Sequence, residues 1–266
     1  MKNAVKKLLG SLGFLVLLTK VKYLYTQLRM RKQNIAFQKT HPNFVMPPDY
    51  LMYEAYGLDY ESYYNDGKAT AKWLSEMVNP WISPNKVNSI FDWGCGPGRI
   101  LRHLPEYFPN AKISGCDYNP STVKWINVHF TAFDIKRNQI NPPISLDGNT
   151  VDFAFGISIF THLSEAGHTA WLAEIARILR PGGIFLFTTH GDVFQKRLTN
   201  YELKEYKNNK LTIRASGPEG HRVYGAFHPP RAIYELVSTQ FSVLNHIIGT
   251  ESINHINQDT WIIQKI

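Results

Sequence analysis

A chain of 266 residues with 44% hydrophobic content holds enough apolar material for one α/β domain with an appendage, and too little for two full enzymatic domains. Its two cysteines, Cys95 and Cys116, exclude a disulfide framework and a four-ligand zinc site, so no metal is expected and the expected setting is reducing and cytoplasmic. The net charge of +8 belongs to one end: Lys2, Lys6, Lys7, Lys20, Lys22, Arg29, Arg31, Lys32 and Lys39 precede the first acidic residue, Asp49, and these nine of the 29 basic residues leave 20 against 21 acidic ones.

A near-neutral body argues against a nucleic-acid partner, which calls for a basic face on the folded domain. The charge instead marks residues 1–48 as a basic arm, distinct from a domain over 49–266. Within the arm, Leu8 to Leu18 reads LLGSLGFLVLL between flanking lysines. The run is shorter than the roughly 20 apolar residues of a comfortable span, and no small-residue cleavage site follows it. Three readings stay open: a helix of residues 1–40 lying on the anionic inner face of a membrane, a helix packed on the domain or a second subunit, and a tilted span.

His41 to Tyr64, rich in Pro and Tyr, reads as an extended connection that packs through aromatics. Lys68 to Val78 has helical spacing and stops at Asn79-Pro80. From there strand and helix alternate: Val87–Trp93 strand, Arg99–Tyr107 helix, Ala111–Cys116 strand, Ser121–Asn127 helix, a third strand ending near Asp134, Val151–Ile157 strand, Ser164–Leu179 helix and Gly183–Thr189 strand. Residues 192–227 read as polar and irregular. Pro229-Pro230 opens a helix to Thr239, and Phe241–Ile248 and Thr260–Ile266 form the last two strands, joined by a link too short for a helical crossover. The pattern predicts an α/β fold: a seven-stranded, mostly parallel sheet with a C-terminal antiparallel hairpin, helices on both faces and an N-terminal helical arm. The core of the site is expected over 87–190, with substrate-side segments and last strands over 191–266.

The first strand runs into Gly94-Cys95-Gly96-Pro97-Gly98, at the strand end where an open α/β sheet binds its ligand. The G-x-G-x-G spacing misses the dinucleotide fingerprint by one residue. Asp92 at the mouth of the loop repels a pyrophosphate but can pair with an ammonium group. Asp117, closing the second strand, can accept both hydroxyls of a ribose. A ligand with a ribose, a cationic amino-acid part and no phosphate satisfies both acids. Alternative readings are a tight turn for the glycines, a helix cap for Asp117 and small buried fillers for both cysteines.

FDWGCGPGR, Asp117 and LRPGGIFLFTT, in this order and at these intervals, resemble the Rossmann-like class I S-adenosylmethionine-dependent methyltransferase family over roughly residues 60–190. DFAFGISIFTHLSE is similar to a bacterial subgroup with an S-[VI]-F-T-H-L segment, often associated with surface glycans. The resemblance implies S-adenosylmethionine as cofactor, held by Asp92, Gly94, Cys95, Gly96, Gly98, Asp117, Tyr118, Asp134, Ile157 and Ser158. It implies methyl transfer to a small-molecule, lipid-linked sugar or glycan acceptor. An alcohol acceptor needs a general base, for which His162, after the fourth strand, and His190, after the fifth, are the candidates. His221 and His228 lie in a segment the sequence does not orient. Two other readings remain: a Rossmann-like NAD or nucleotide-sugar oxidoreductase, which lacks the fingerprint spacing, and a catalytically silent, membrane-associated scaffold. Oligomeric state is not legible.

Overall fold

The computed structural model describes residues 12–221, 223–252 and 256–266, with side chains in the first helix described from Thr19 onward. The chain divides into two units after Thr70.

In the first unit, helix α1 (Leu12–Thr40) is followed by α2 (Asp49–Ala55) and by the start of α3 (Tyr60–Val78). The Leu8–Leu18 run lies outside the described side chains. Phe37, Met52, Tyr53, Leu58, Tyr60 and Tyr63 bury one another in an aromatic-rich cluster. Asn34 ties the elements together: its Nδ2 donates to the Leu58 carbonyl at 3.0 Å and its Oδ1 accepts from the Tyr60 amide at 3.2 Å. Asp49 accepts from Gln27 Nε2 at 2.8 Å and from the Tyr60 hydroxyl at 2.5 Å. The extended connection expected over 41–64 is therefore helical over half its length, at Asp49–Ala55 and from Tyr60 onward. Asp59 explains the early start of α3, since its Oδ1 accepts from the Ser62 amide at 3.1 Å as an N-cap does. Among the described residues no helix is long and apolar enough to cross a membrane.

The second unit holds a seven-stranded sheet of order β3-β2-β1-β4-β5-β9-β8. Its strands are β1 (Ser89–Trp93), β2 (Lys112–Asp117), β3 (Asp134–Arg137), β4 (Val151–Gly156), β5 (Leu179–Thr189), β8 (Phe241–Ile247) and β9 (Asp259–Lys265). β1 to β5 pair in parallel, and β9 is antiparallel to both β5 and β8. The predicted sheet and its antiparallel end are both present. Phe91, Trp93, Phe160, Trp171, Phe185 and Trp261 are among the aromatics of its core. Trp171 and Trp261 place their indole N–H groups on the Ile140 carbonyl and the Thr189 hydroxyl, at 2.8 and 2.9 Å, so the large rings are buried without an unpaired donor.

Two local expectations need correction. The helix expected over 99–107 is a 3-10 turn, Leu101–His103, followed by the single α-turn α4 (Leu104–Tyr107). Pro105 lacks an N–H and its ring clashes with the carbonyl four residues back, so α-helical bonding cannot run across it. Residues 192–227 are not irregular: a 3-10 segment Asp192–Arg197 leads to helix α7 (Asn200–Lys207) and to a ribbon of β6 (Thr212–Ala215) and β7 (Tyr224–Phe227). Numbered between α4 and α7 are α5 (Pro120–His129) and α6 (Glu165–Ile178). Thr199 and Glu202 cap α7 reciprocally, at 3.3 and 2.8 Å.

Candidate active site

β1 sits between β2 and β4, so the crevice at its carboxyl end opens where the strand order reverses. The glycine loop lies there. Gly94, Gly96 and Gly98 adopt φ of 76°, 51° and 79°, the left-handed region that residues with a Cβ enter at a cost. At Gly94 a Cβ would also overlap the side chain of Ile159. The loop is tied to the end of β2: the amides of Gly94 and Cys95 donate to the Cys116 carbonyl at 2.9 and 3.0 Å.

Asp117 completes the cradle. Its Oδ2 accepts from the Gly96 amide at 3.0 Å and its Oδ1 from the Asn119 amide at 2.8 Å. The cap of α5 is Asn119, whose side chain accepts from Ser121, so Asp117 is not a helix cap. Burial raises the Asp117 carboxyl above its ordinary value and the two amides pull it back. The carboxylate oxygens retain lone pairs for further donors. Asp92 is 3% exposed, and its Oδ2 has no hydrogen-bond partner. Burial pushes its carboxyl well above the usual range, with Arg99 lowering it and Asp117 raising it further. An orphaned, buried carboxylate oxygen is costly unless a ligand supplies its donor.

Both thiols are buried, and burial pushes each upward. They are fillers of the strand ends, with Cys95 contributing its backbone to the loop. Tyr118 is exposed just after β2.

Asp134 is misplaced by the sequence reading. It opens β3 rather than closing it, pairing with Ser114 while Arg137 pairs with Asp117, which sets it ~10 Å from the ligand edge at strand rise. It forms an ion pair with Lys136 at 2.7 Å. The residue at the carboxyl end of β3 is Asn138, whose amide reaches the Asp117 carbonyl at 3.3 Å and whose Oδ1 is buried and unpaired. The length of β3 is not legible in so polar a segment, and no sequence signal marked Asn138.

On the other side of the crevice, β4 ends at Gly156 and leads through half-buried Ile157 to Ser158. Ser158 has φ of 62°, a strained conformation held by its amide bond to Thr188 Oγ1 at 2.8 Å. Gln258 locks this corner, donating to Ser158 Oγ at 2.8 Å and accepting from Thr188 Oγ1 at 2.5 Å.

The β7 edge orients both candidate bases. His162 Nδ1 donates to the Tyr224 carbonyl at 2.9 Å and His190 Nδ1 to the Ala226 carbonyl at 3.1 Å. Alternate residues of one strand direct their carbonyls to one side, so two imidazoles are fixed in the same tautomer with Nε2 as the lone-pair atom. Burial lowers His162 and takes His190 down to about 4. The segment is stapled further by Gly220 N to the His162 carbonyl and His228 N to the His190 carbonyl, at 2.9 and 2.8 Å. Glu219 Oε1 also accepts from the amide and hydroxyl of Ser164 at 2.7 and 2.8 Å. His228 is not a pocket-lining residue: it is fully buried and pairs Nε2 to Nε2 with His168 at 2.9 Å. His168 Nδ1 donates to the Ser164 carbonyl, so His228 is the donor of the shared bond. Among the described residues no group of three or more His, Cys, Asp or Glu side chains is arranged to hold a metal ion.

This geometry agrees with what the chain resembles in sequence. Residues 90–183 match a family described as a methyltransferase domain. Relatives include the malonyl-[acyl-carrier protein] O-methyltransferases of Acetivibrio thermocellus, 24% identical over 63% of this chain, and of Bacillus anthracis, 28% identical over 57% of it. The chain spans 57% and 56% of their lengths. The yeast Saccharomyces cerevisiae tRNA(Thr) (cytosine(32)-N(3))-methyltransferase is 25% identical over 61% of this chain and 27% of its own. Among solved structures, an S-adenosylmethionine-dependent methyltransferase of Mesorhizobium loti superposes with a TM-score of 0.56 at 13% identity, covering 73% of this chain and 98% of that one. One from Methanosarcina mazei gives 0.54 at 16%, covering 71% and 97%. The fold of the second unit is thus of the Rossmann-like type seen in class I methyltransferases.

Proposed function

We propose that this chain is an S-adenosylmethionine-dependent methyltransferase that modifies a hydroxyl group, on a small molecule, a lipid-linked sugar or a glycan. The observation that carries the cofactor reading is the buried, unpartnered Oδ2 of Asp92 beside a glycine loop held by Asp117. That oxygen fits the cofactor's ammonium group, and the Asp117 carboxylate fits its ribose hydroxyls. The same carboxylate pair would repel the pyrophosphate of NAD, which weighs against an oxidoreductase.

S-adenosylmethionine supplies a methyl group on a sulfonium, open to in-line attack by a lone pair. The chain's residues then have two tasks: to hold the acceptor in a dry site and to remove its proton. His162 suits the second. Its Nδ1–H is committed to Tyr224, so a hydroxyl proton goes to Nε2. His190, lowered to about 4, is too weak a base to lead at neutral pH and accepts hydrogen bonds instead. Relatives act on a carrier-bound malonyl group and on a tRNA base by their names, so the hydroxyl assignment rests on the histidines, and the glycan assignment on the S-I-F-T-H-L segment.

Calorimetry with S-adenosylhomocysteine and with NAD tests the cofactor reading. Heat of binding with the first and none with the second is expected, and the reverse overturns it. Transfer of label from methyl-labelled S-adenosylmethionine into lipid or glycan extracts, stable to mild alkali as an ether is, tests the acceptor class.

A further inference from the structure

Helix α1 (Leu12–Thr40) has two unlike faces. At about 100° per residue, Tyr23, Met30, Asn34 and Phe37 share one side. Met30, Asn34 and Phe37 are buried, and Tyr23 packs edge-on against Tyr53. Val21, Leu24, Tyr25, Leu28 and Ile35 recur at helical spacing on the opposite side, and all are exposed, Leu28 by 72%. Five large apolar side chains in one stripe are more than the scattered exposure of an ordinary surface.

The charges around the stripe are of one sign. By the same helical geometry Lys20 and Arg31 border it on one side and Lys22 and Arg29 on the other, while Lys32 falls within it. All five are exposed, and no acidic residue precedes Asp49.

We propose that this face of α1 docks on an anionic membrane surface, the helix lying in the interface. Val21, Leu24, Tyr25, Leu28 and Ile35 enter the acyl boundary, and the bordering lysines and arginines reach up to anionic headgroups. The buried face keeps α1 attached to its own unit through Asn34 and Phe37, so docking requires no unfolding. A second copy of the chain fits this face poorly. Two such helices in parallel would bring Arg31 and Lys32 against their counterparts, and in either direction residues 1–48 offer no carboxylate to pair the basic side chains.

The test is co-sedimentation of the full chain with vesicles of phosphatidylcholine alone or mixed with phosphatidylglycerol. Binding to the mixed vesicles, weak binding to the neutral ones and partial release by salt are expected. Leu24→Gln with Leu28→Gln should weaken partitioning at least ~10-fold, and Arg29→Gln or Lys32→Gln about fivefold each. Thermal unfolding of these variants should match wild type, because the side chains are exposed. Absence of wild-type binding, or equal binding by the Leu24→Gln, Leu28→Gln variant, overturns the proposal. So does a dimer that this variant dissolves in the absence of any vesicle binding, which would assign the face to a second copy.

Discussion

The two sides of the crevice are built at different ranges along the chain. On the cofactor side, Asp117 holds Asn119 two residues away and Gly96 21 residues away, and the loop follows its strand directly. On the side proposed for the acceptor, His190 reaches Ala226 over 36 residues and His162 reaches Tyr224 over 62, while Gln258 braces Ser158 between the two sides over 100. The first can be copied as a short motif with its conformation intact. The second depends on the 192–228 segment docking correctly, so it can vary without disturbing the glycine loop. Relatives whose names specify unlike acceptors are consistent with that division.

If the sides are separable, the largest effect is on rate alone. His162→Ala should lower kcat by 10²- to 10⁴-fold while S-adenosylhomocysteine affinity stays at the wild-type value by calorimetry. Loss of both together would show that His162 and the cofactor cradle act as one unit.

Acid should attack the acceptor side first. Burial holds His168 and His190 down at about 4 in the folded chain, from 6.5. Depressed histidines contribute stability that is complete above about pH 6.5 and lost as pH falls toward the folded value, because the unfolded chain takes up the protons. Each should cost about 2 kcal/mol by pH 5. Hydrogen exchange should show residues 212–228 losing protection before β1 and β2 do.

Asp117→Ala should weaken S-adenosylhomocysteine binding by about 1 to 3 kcal/mol. The variant also frees the Gly96 and Asn119 amides, so some stability is lost with it. His162 should still show its own acid limb in the pH profile at saturating cofactor, falling below 6.5 because burial lowers it. An unchanged affinity would remove Asp117 from the ribose role.

The smallest effect sharpens the boundary of the acceptor side. Thr199→Ala removes one half of the capping box on α7 and should cost about 1 kcal/mol in chemical denaturation. Cofactor binding should not respond.

The parallel strands, the glycine loop and both acids were legible in the amino-acid order, because apolar periodicity and backbone conformation are local properties. Gly94, Gly96 and Gly98 all take positive φ within one five-residue loop, and Asp92 and Asp117 lie at or next to the ends of their strands. Thr199-Asn200-Tyr201-Glu202 was equally legible as a capping box, and only the polar composition around it hid the helix. Tertiary structure decided the rest. Asp134 lost its place because the polar third strand carries no marker of where pairing begins. The aromatic stretch after His41 became half helical, held by Gln27 and Asn34 of the preceding helix. His162 and His190 acquired a fixed tautomer from two carbonyls on a strand that no residue near either histidine announces. His228 was drawn into the core by His168, 60 residues away. Hydrogen bonds closed across such loops leave no periodicity in the chain, so the surroundings of His162 and His190 become visible only once the ribbon is seen against the sheet.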